Sequence, residues 1–179
     1  ELKQLILINT PKIKTAKNSN YMKKIVFVGT IWPEPKSTAA GIRILQLLDL
    51  FLKNNFEITF ASFASKSDFS FDLESLGIKT QLIELNNASF DVFIKEENPE
   101  IVVFDRFMTE EQLGWRVTEI LPNCIKILDT EDLHFLRDAR KSAFKKNIPL
   151  DKQLLVNEIF KREIAAIYRC DLTLIISKF

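Results

Sequence analysis

The chain has 179 residues, 46% of them hydrophobic and 27% charged, and its 25 basic and 24 acidic side chains leave a net charge of +1. That length and apolar content suit one well-buried domain and exclude a disordered chain, while the balanced charge offers no overall field to draw in nucleic acid. The two cysteines, Cys124 and Cys170, form neither a C-x-x-C pair nor a zinc pattern, so they point to buried thiols in a reducing cytoplasm without a structural metal.

In chain order, residues 1 to 21 read as an appendage. Leu5-Ile6-Leu7-Ile8 is too short for a signal-peptide core, and the polar run from Lys12 to Asn20 has neither helical nor strand period, which predicts poor order there. Met22, just ahead of the first strong strand, suits a natural start. No run of about 18 apolar residues occurs, so no membrane-spanning helix is predicted.

From Lys24 on, short apolar runs alternate with helical periods. Strands are predicted at Ile25–Val28, Ile58–Ala61, Gln81–Leu85, Ile101–Phe104, Ile125–Leu128 and Leu172–Ile176. Most are apolar throughout, as strands covered on both faces must be. Between the first two, Ile42, Leu45, Leu48, Asp49 and Leu52 keep a helical period, and Leu155, Ile159, Phe160, Ile164 and Ile167 do so before the last strand. Glu158 and Arg162 stand at the i,i+4 spacing that supports such a helix. The pattern predicts a doubly wound α/β fold: six mostly parallel strands with helices on both faces.

In that fold four loops share the crevice at the carboxyl ends of the strands. They are Gly29 to Gly41, Ala64-Ser65-Lys66, Asp105-Arg106-Phe107 and Asp129 to Arg137. The first lets the chain turn at Gly29, is stiffened by Pro33 and Pro35, and ends in Ser37-Thr38-Ala39-Ala40-Gly41, where backbone N–H groups at a helix start could hold a phosphate or a sugar hydroxyl. Neither G-x-G-x-x-G nor G-x-x-x-x-G-K-[ST] is present, which disfavours dinucleotide and P-loop chemistry. The last loop concentrates Asp129, Glu131, Asp132, the sole histidine His134, and Arg137 directly after a strand. Helix capping by Asp129 or Thr130 explains its acids about as well as ligand binding does, but no cap requires an imidazole.

Three sets of residues carry a resemblance: Lys24-Ile25-Val26-Phe27-Val28-Gly29 followed by Pro33-x-Pro35 and Ala40-Gly41-Ile42-Arg43; Asp129-Thr130-Glu131-Asp132-Leu133-His134-Phe135-Leu136-Arg137; and Cys170-Asp171-Leu172-Thr173-Leu174-Ile175-Ile176-Ser177. In order and spacing this resembles the Rossmann-like N-terminal domain of GT-B glycosyltransferases of the family 4 type, bacterial members included, over about residues 23 to 179. A lone Gly29, where many relatives carry Gly-Gly, and Asn54-Asn55 in place of Gly-His are departures.

The resemblance implies a sugar passing from a nucleotide-sugar donor to a saccharide or lipid-linked acceptor, without cofactor or divalent metal. It also implies that a C-terminal domain holds most of the donor, so that this chain by itself is inactive. It gives His134 the catalytic contact with the transferred sugar or the acceptor. Gly29, Thr30, Gly41, Arg43, Asp105, Arg106, Asp129, Glu131, Asp132 and Arg137 then form the substrate-binding set, with Asp129, Glu131 and Asp132 on acceptor hydroxyls and Arg106 or Arg137 meeting an anionic group. The basic run Arg137, Arg140, Lys141, Lys145 and Lys146, with Phe144 inside it, reads as a solvated helix face or as a peripheral contact with a membrane on the cytoplasmic side. Nucleic acid is not an expected partner, since no RNA-binding signature accompanies that run. Two other readings stay open: a stand-alone sugar- or nucleotide-binding module without turnover, and a hydrolase with a metal on Asp129, Asp132 and His134.

Overall fold

The computed structural model describes residues 22–175; the N-terminal appendage and Ile176, the last residue of the sixth predicted strand, lie outside them. Six strands, β1 (Lys23–Gly29), β2 (Phe56–Ser62), β3 (Lys79–Leu82), β4 (Ile101–Asp105), β5 (Ile125–Asp129) and β6 (Leu172–Leu174), form one sheet. Its order is β3-β2-β1-β4-β5-β6, and every pairing is parallel. The helices are α1 (Ala39–Lys53), α2 (Ser89–Glu97), α3 (Phe107–Ile120), α4 (His134–Lys146), the short α5 (Lys152–Leu155) and α6 (Glu158–Arg169). Among the described residues no helix is long and apolar enough to cross a membrane.

Alternation along the strands explains why both faces need a cover. Ile25, Phe27, Ile58, Phe60, Val103 and Ile127 face one core with Ile44, Leu47 and Leu48 of α1. Val26, Val28, Val102, Phe104 and Leu128 face the other, with Phe90 and Ile94 of α2, Leu113 and Val117 of α3, and Ala166 and Ile167 of α6. Cys124 and Cys170 are buried there as free thiols. Burial pushes both thiols up, Cys124 to about 12, so neither is a ready nucleophile.

Three local expectations need correction. The buried face of α1 is Gly41, Ile44, Leu47 and Leu48, while Ile42 is 49% exposed. Gly41 fixes that rotation, because a Cβ there would stand 2.5 Å from the Glu34 backbone. Strand β3 ends at Leu82, after which the Ile83 amide still donates to Ser62 but the side chain turns into the core. An edge strand with three of four residues exposed has no apolar run to announce it. Finally, Glu158 pairs with Lys161 at 2.6 Å, and Arg162 instead reaches across to Glu111 of α3, with Nε 2.9 Å from Oε1.

Candidate functional site

Strand order reverses between β1 and β4, which makes the carboxyl end of that pair the switch point where open α/β sheets bind ligands. Gly29 closes β1, Asp105 closes β4, and Asp129 closes β5 in register with Asp105. Helix α3 begins only one residue after β4, and that residue, Arg106, takes φ 72 and ψ 154. Side chains with a Cβ are rarely found there. The conformation is held by the Arg106 amide, which donates to the Asp129 carbonyl at 2.7 Å, and by the Thr109 hydroxyl, 2.8 Å from the carbonyls of both Asp105 and Arg106. It aims the guanidinium over the strand ends, with Nε 3.0 Å from Glu131 Oε2 and Nη1 3.5 Å from Thr30 Oγ1.

Asp105 and Asp129 are treated differently by their surroundings. Arg43 of α1 grips Asp129 with Nη2 2.7 Å from Oδ1 and Nε 3.1 Å from Oδ2. Among the described residues, the Asp105 carboxylate has only the Nε of Arg106, at 3.8 Å. Burial therefore pushes its carboxyl up to about 6; Arg106 and His134 draw it back, and the neighbouring carboxylates of Asp129 and Glu131 add to the rise. A carboxyl poised there can hold or release a proton near neutrality. Beside it lies a small recess walled by Ile31, Trp32, Pro33, Glu34, Thr38, Phe60 and Arg106. The Trp32 indole donates to the Ala64 carbonyl at 2.6 Å, and Lys66 lies over its ring, so the loop after β2 does border this side.

Of the residues named from sequence, Thr30, Arg43, Asp105, Arg106, Asp129 and Glu131 converge on this point. Gly41 borders the recess, and three of the amides expected to form an anion cradle at residues 37 to 41 are engaged within the loop: the Ser37 and Thr38 amides donate to Glu34 O, and the Gly41 amide to Thr38 Oγ1 at 2.9 Å. Arg137 and Asp132 pair with each other at 3.0 Å, the arginine side chain being 61% exposed.

His134 is 8% exposed and lies edge-to-face on Phe107 at 5.4 Å. Its Nδ1 is 3.2 Å from the Asp132 carbonyl and 3.4 Å from Glu163 Oε1. The expected caps of α4 serve elsewhere, Asp129 with Arg43 and Thr130 Oγ1 donating to Leu174 O at 3.0 Å. The cap is Glu163 of α6, fully buried, whose carboxylate accepts from the amides of His134 (3.2 Å) and Phe135 (3.0 Å). Sequence reasoning passed over Glu163. Its signal is a charge at a core position, four residues after Ile159 and four before Ile167. The trio Asp129, Asp132 and His134 does not converge, because the first is turned to Arg43.

No protein-family model and no curated protein matches this chain. Among solved structures it is similar to an alpha-glucosyltransferase in complex with UDP and a 13-mer DNA containing a HMU base, at 13% identity and a TM-score of 0.49. The match covers 86% of this chain and 37% of that one, so the chain spans little more than a third of that enzyme's length.

Proposed function

We propose that this chain is the acceptor-side domain of a GT-B glycosyltransferase, of the bacterial family 4 type that its motifs resemble, working in the cytoplasm on a nucleotide-sugar. The observation that carries the reading is Asp105: a carboxyl only 15% exposed and raised to about 6, at the switch point, beside a guanidinium and a recess of mixed apolar and polar lining. Such a group suits the hydroxyl of a saccharide or lipid-linked acceptor. In transfer, the acceptor oxygen bonds to the anomeric carbon, the nucleoside diphosphate departs, and the hydroxyl proton passes to the Asp105 carboxylate. Arg106, released from Glu131, meets an anionic group of the acceptor or the departing diphosphate.

Most of the rate in this reading comes from alignment and exclusion of water between two domains, with the donor held mainly by the second. His134 then acts from behind the site, fixing the 129–135 segment with Glu163 and moderating Asp105. The test is ligand-observed NMR of the 179-residue chain with glucose 6-phosphate, maltose, UDP and UDP-glucose as probes. Saturation transfer to the saccharides, lost in Asp105→Asn, supports the reading. Saturation transfer to UDP alone, or sustained turnover of UDP-glucose by this chain, contradicts it.

A further inference from the structure

Helix α4 is built to face two environments. Its inner side carries Ala139 and Ala143, buried one turn apart, and the helix packs on α6 and α5. Its outer side carries Arg137, Arg140, Lys141 and Phe144 at i, i+3, i+4 and i+7, a single exposed stripe. Phe144 is 88% exposed, an uncommon position for an aromatic ring on a helix. Beyond Asn147, which ends the helix at φ 51, the chain presents Ile148 (43% exposed) and Leu150 (44%), followed by Val156 (60%).

Charge is as uneven as polarity here. Residues 137 to 152 hold six basic side chains against two acidic ones, Asp138 and Asp151, in a protein whose net charge is +1. Asp151 is engaged in capping α5, and among the described residues Arg140, Lys141, Lys145 and Lys146 have no ion-pair partner. We propose that the outer face of α4 and the turn after it dock on an anionic phospholipid surface, the basic side chains at the headgroups and Phe144 with Ile148 and Leu150 below them. Positive charge surrounding exposed apolar side chains is the pattern that binds such interfaces, each half adding to the other. The aliphatic members favour lipid over single-stranded nucleic acid, because they offer no ring on which a base could stack. A second copy of the chain is disfavoured by like charge meeting like across a symmetric contact.

Docking of this face is independent of sugar transfer, so vesicle binding and saccharide binding are read separately. The experiment is co-sedimentation of the 179-residue chain with phosphatidylcholine vesicles, with and without about 30 mol% phosphatidylglycerol. Binding at least about tenfold stronger to the anionic vesicles is expected, weakening as salt shortens the Debye length. Phe144→Ala should weaken it about fivefold and Lys141→Glu with Lys145→Glu should abolish it, the circular dichroism of each variant remaining that of the parent. Equal binding by the doubly reversed variant, or absence of binding to anionic vesicles, overturns the proposal. So does capture of an oligothymidylate, or a Phe144-dependent dimer in light scattering, where vesicles are not bound.

Discussion

Arg106 and Glu131, which lead the chain out of β4 and β5, both hold a positive φ, 72 and 60, and meet in an ion pair of 3.0 Å across the strand ends. Two costly backbone conformations on one crevice mark a place where side-chain position outweighs local stability. Comparison of Arg106→Ala with Arg106→Gly separates the backbone from the side chain. Both lose the ion pair, but glycine relieves the strain, so Arg106→Gly should be the more stable by about 1–2 kcal/mol in urea unfolding. Equal stabilities would show that the conformation carries no strain.

Asp105 gives the protein a definite pH response. Its carboxyl is raised from 3.8 to about 6, so between those values the folded chain binds a proton that the unfolded chain has lost. Stability therefore falls as pH rises from 4 to 6, and above that the charged Asp105 is a constant burden. With its side chain 15% exposed, that burden is on the order of 2 kcal/mol. Asp105→Asn should unfold at higher denaturant than the parent at pH 7.5 and lose the advantage near pH 4. A variant destabilised at both pH values would contradict the assignment.

Glu163 holds the start of α4 from a neighbouring helix. Glu163→Ala would leave the buried amide of His134 and the part-buried amide of Phe135 without their acceptor, at a cost of about 3 kcal/mol. Glu163→Gln keeps one acceptor oxygen and should lose about half as much. Urea unfolding of the two variants checks the order, and amide exchange at His134 and Phe135 should rise most in the alanine variant.

His134, which no helix cap requires, is nonetheless a packed side chain, 8% exposed. Because it is buried against Phe107, His134→Ala should cost about 1–2 kcal/mol. Because His134 helps to draw Asp105 down, the same variant should move the Asp105 carboxyl titration above its present value of about 6, read from its side-chain carbon resonance. A merely structural histidine would leave that titration in place.

Strand count and parallel pairing were legible because the central strands are apolar on both faces, and the strand-end loops followed from them, whereas the strand order was not. Asp105 was legible as a position, but not as a raised acid. That depends on Arg43, 86 residues from Asp129 in sequence, engaging Asp129 and leaving Asp105 with a more distant cation. The capping role given to Asp129 and Thr130 failed for a related reason. Local pattern shows which groups are near a helix start, whereas Glu163 arrives from 29 residues away through the packing of α6. Glu163 on the apolar stripe of α6, like Glu110 on that of α3, is the kind of buried charge that a sequence shows and only a fold explains.

The most direct test of the crevice is a backbone-amide NMR titration of the 179-residue chain with glucose 6-phosphate, which offers hydroxyls and an anion together. Shifts are expected to concentrate at Thr30, Asp105, Arg106 and Glu131, with an affinity that changes through pH 6 with the Asp105 carboxyl and a response that is lost in Arg106→Ala. Shifts gathered elsewhere on the fold, or an unchanged response in Arg106→Ala, would contradict the crevice as the binding site.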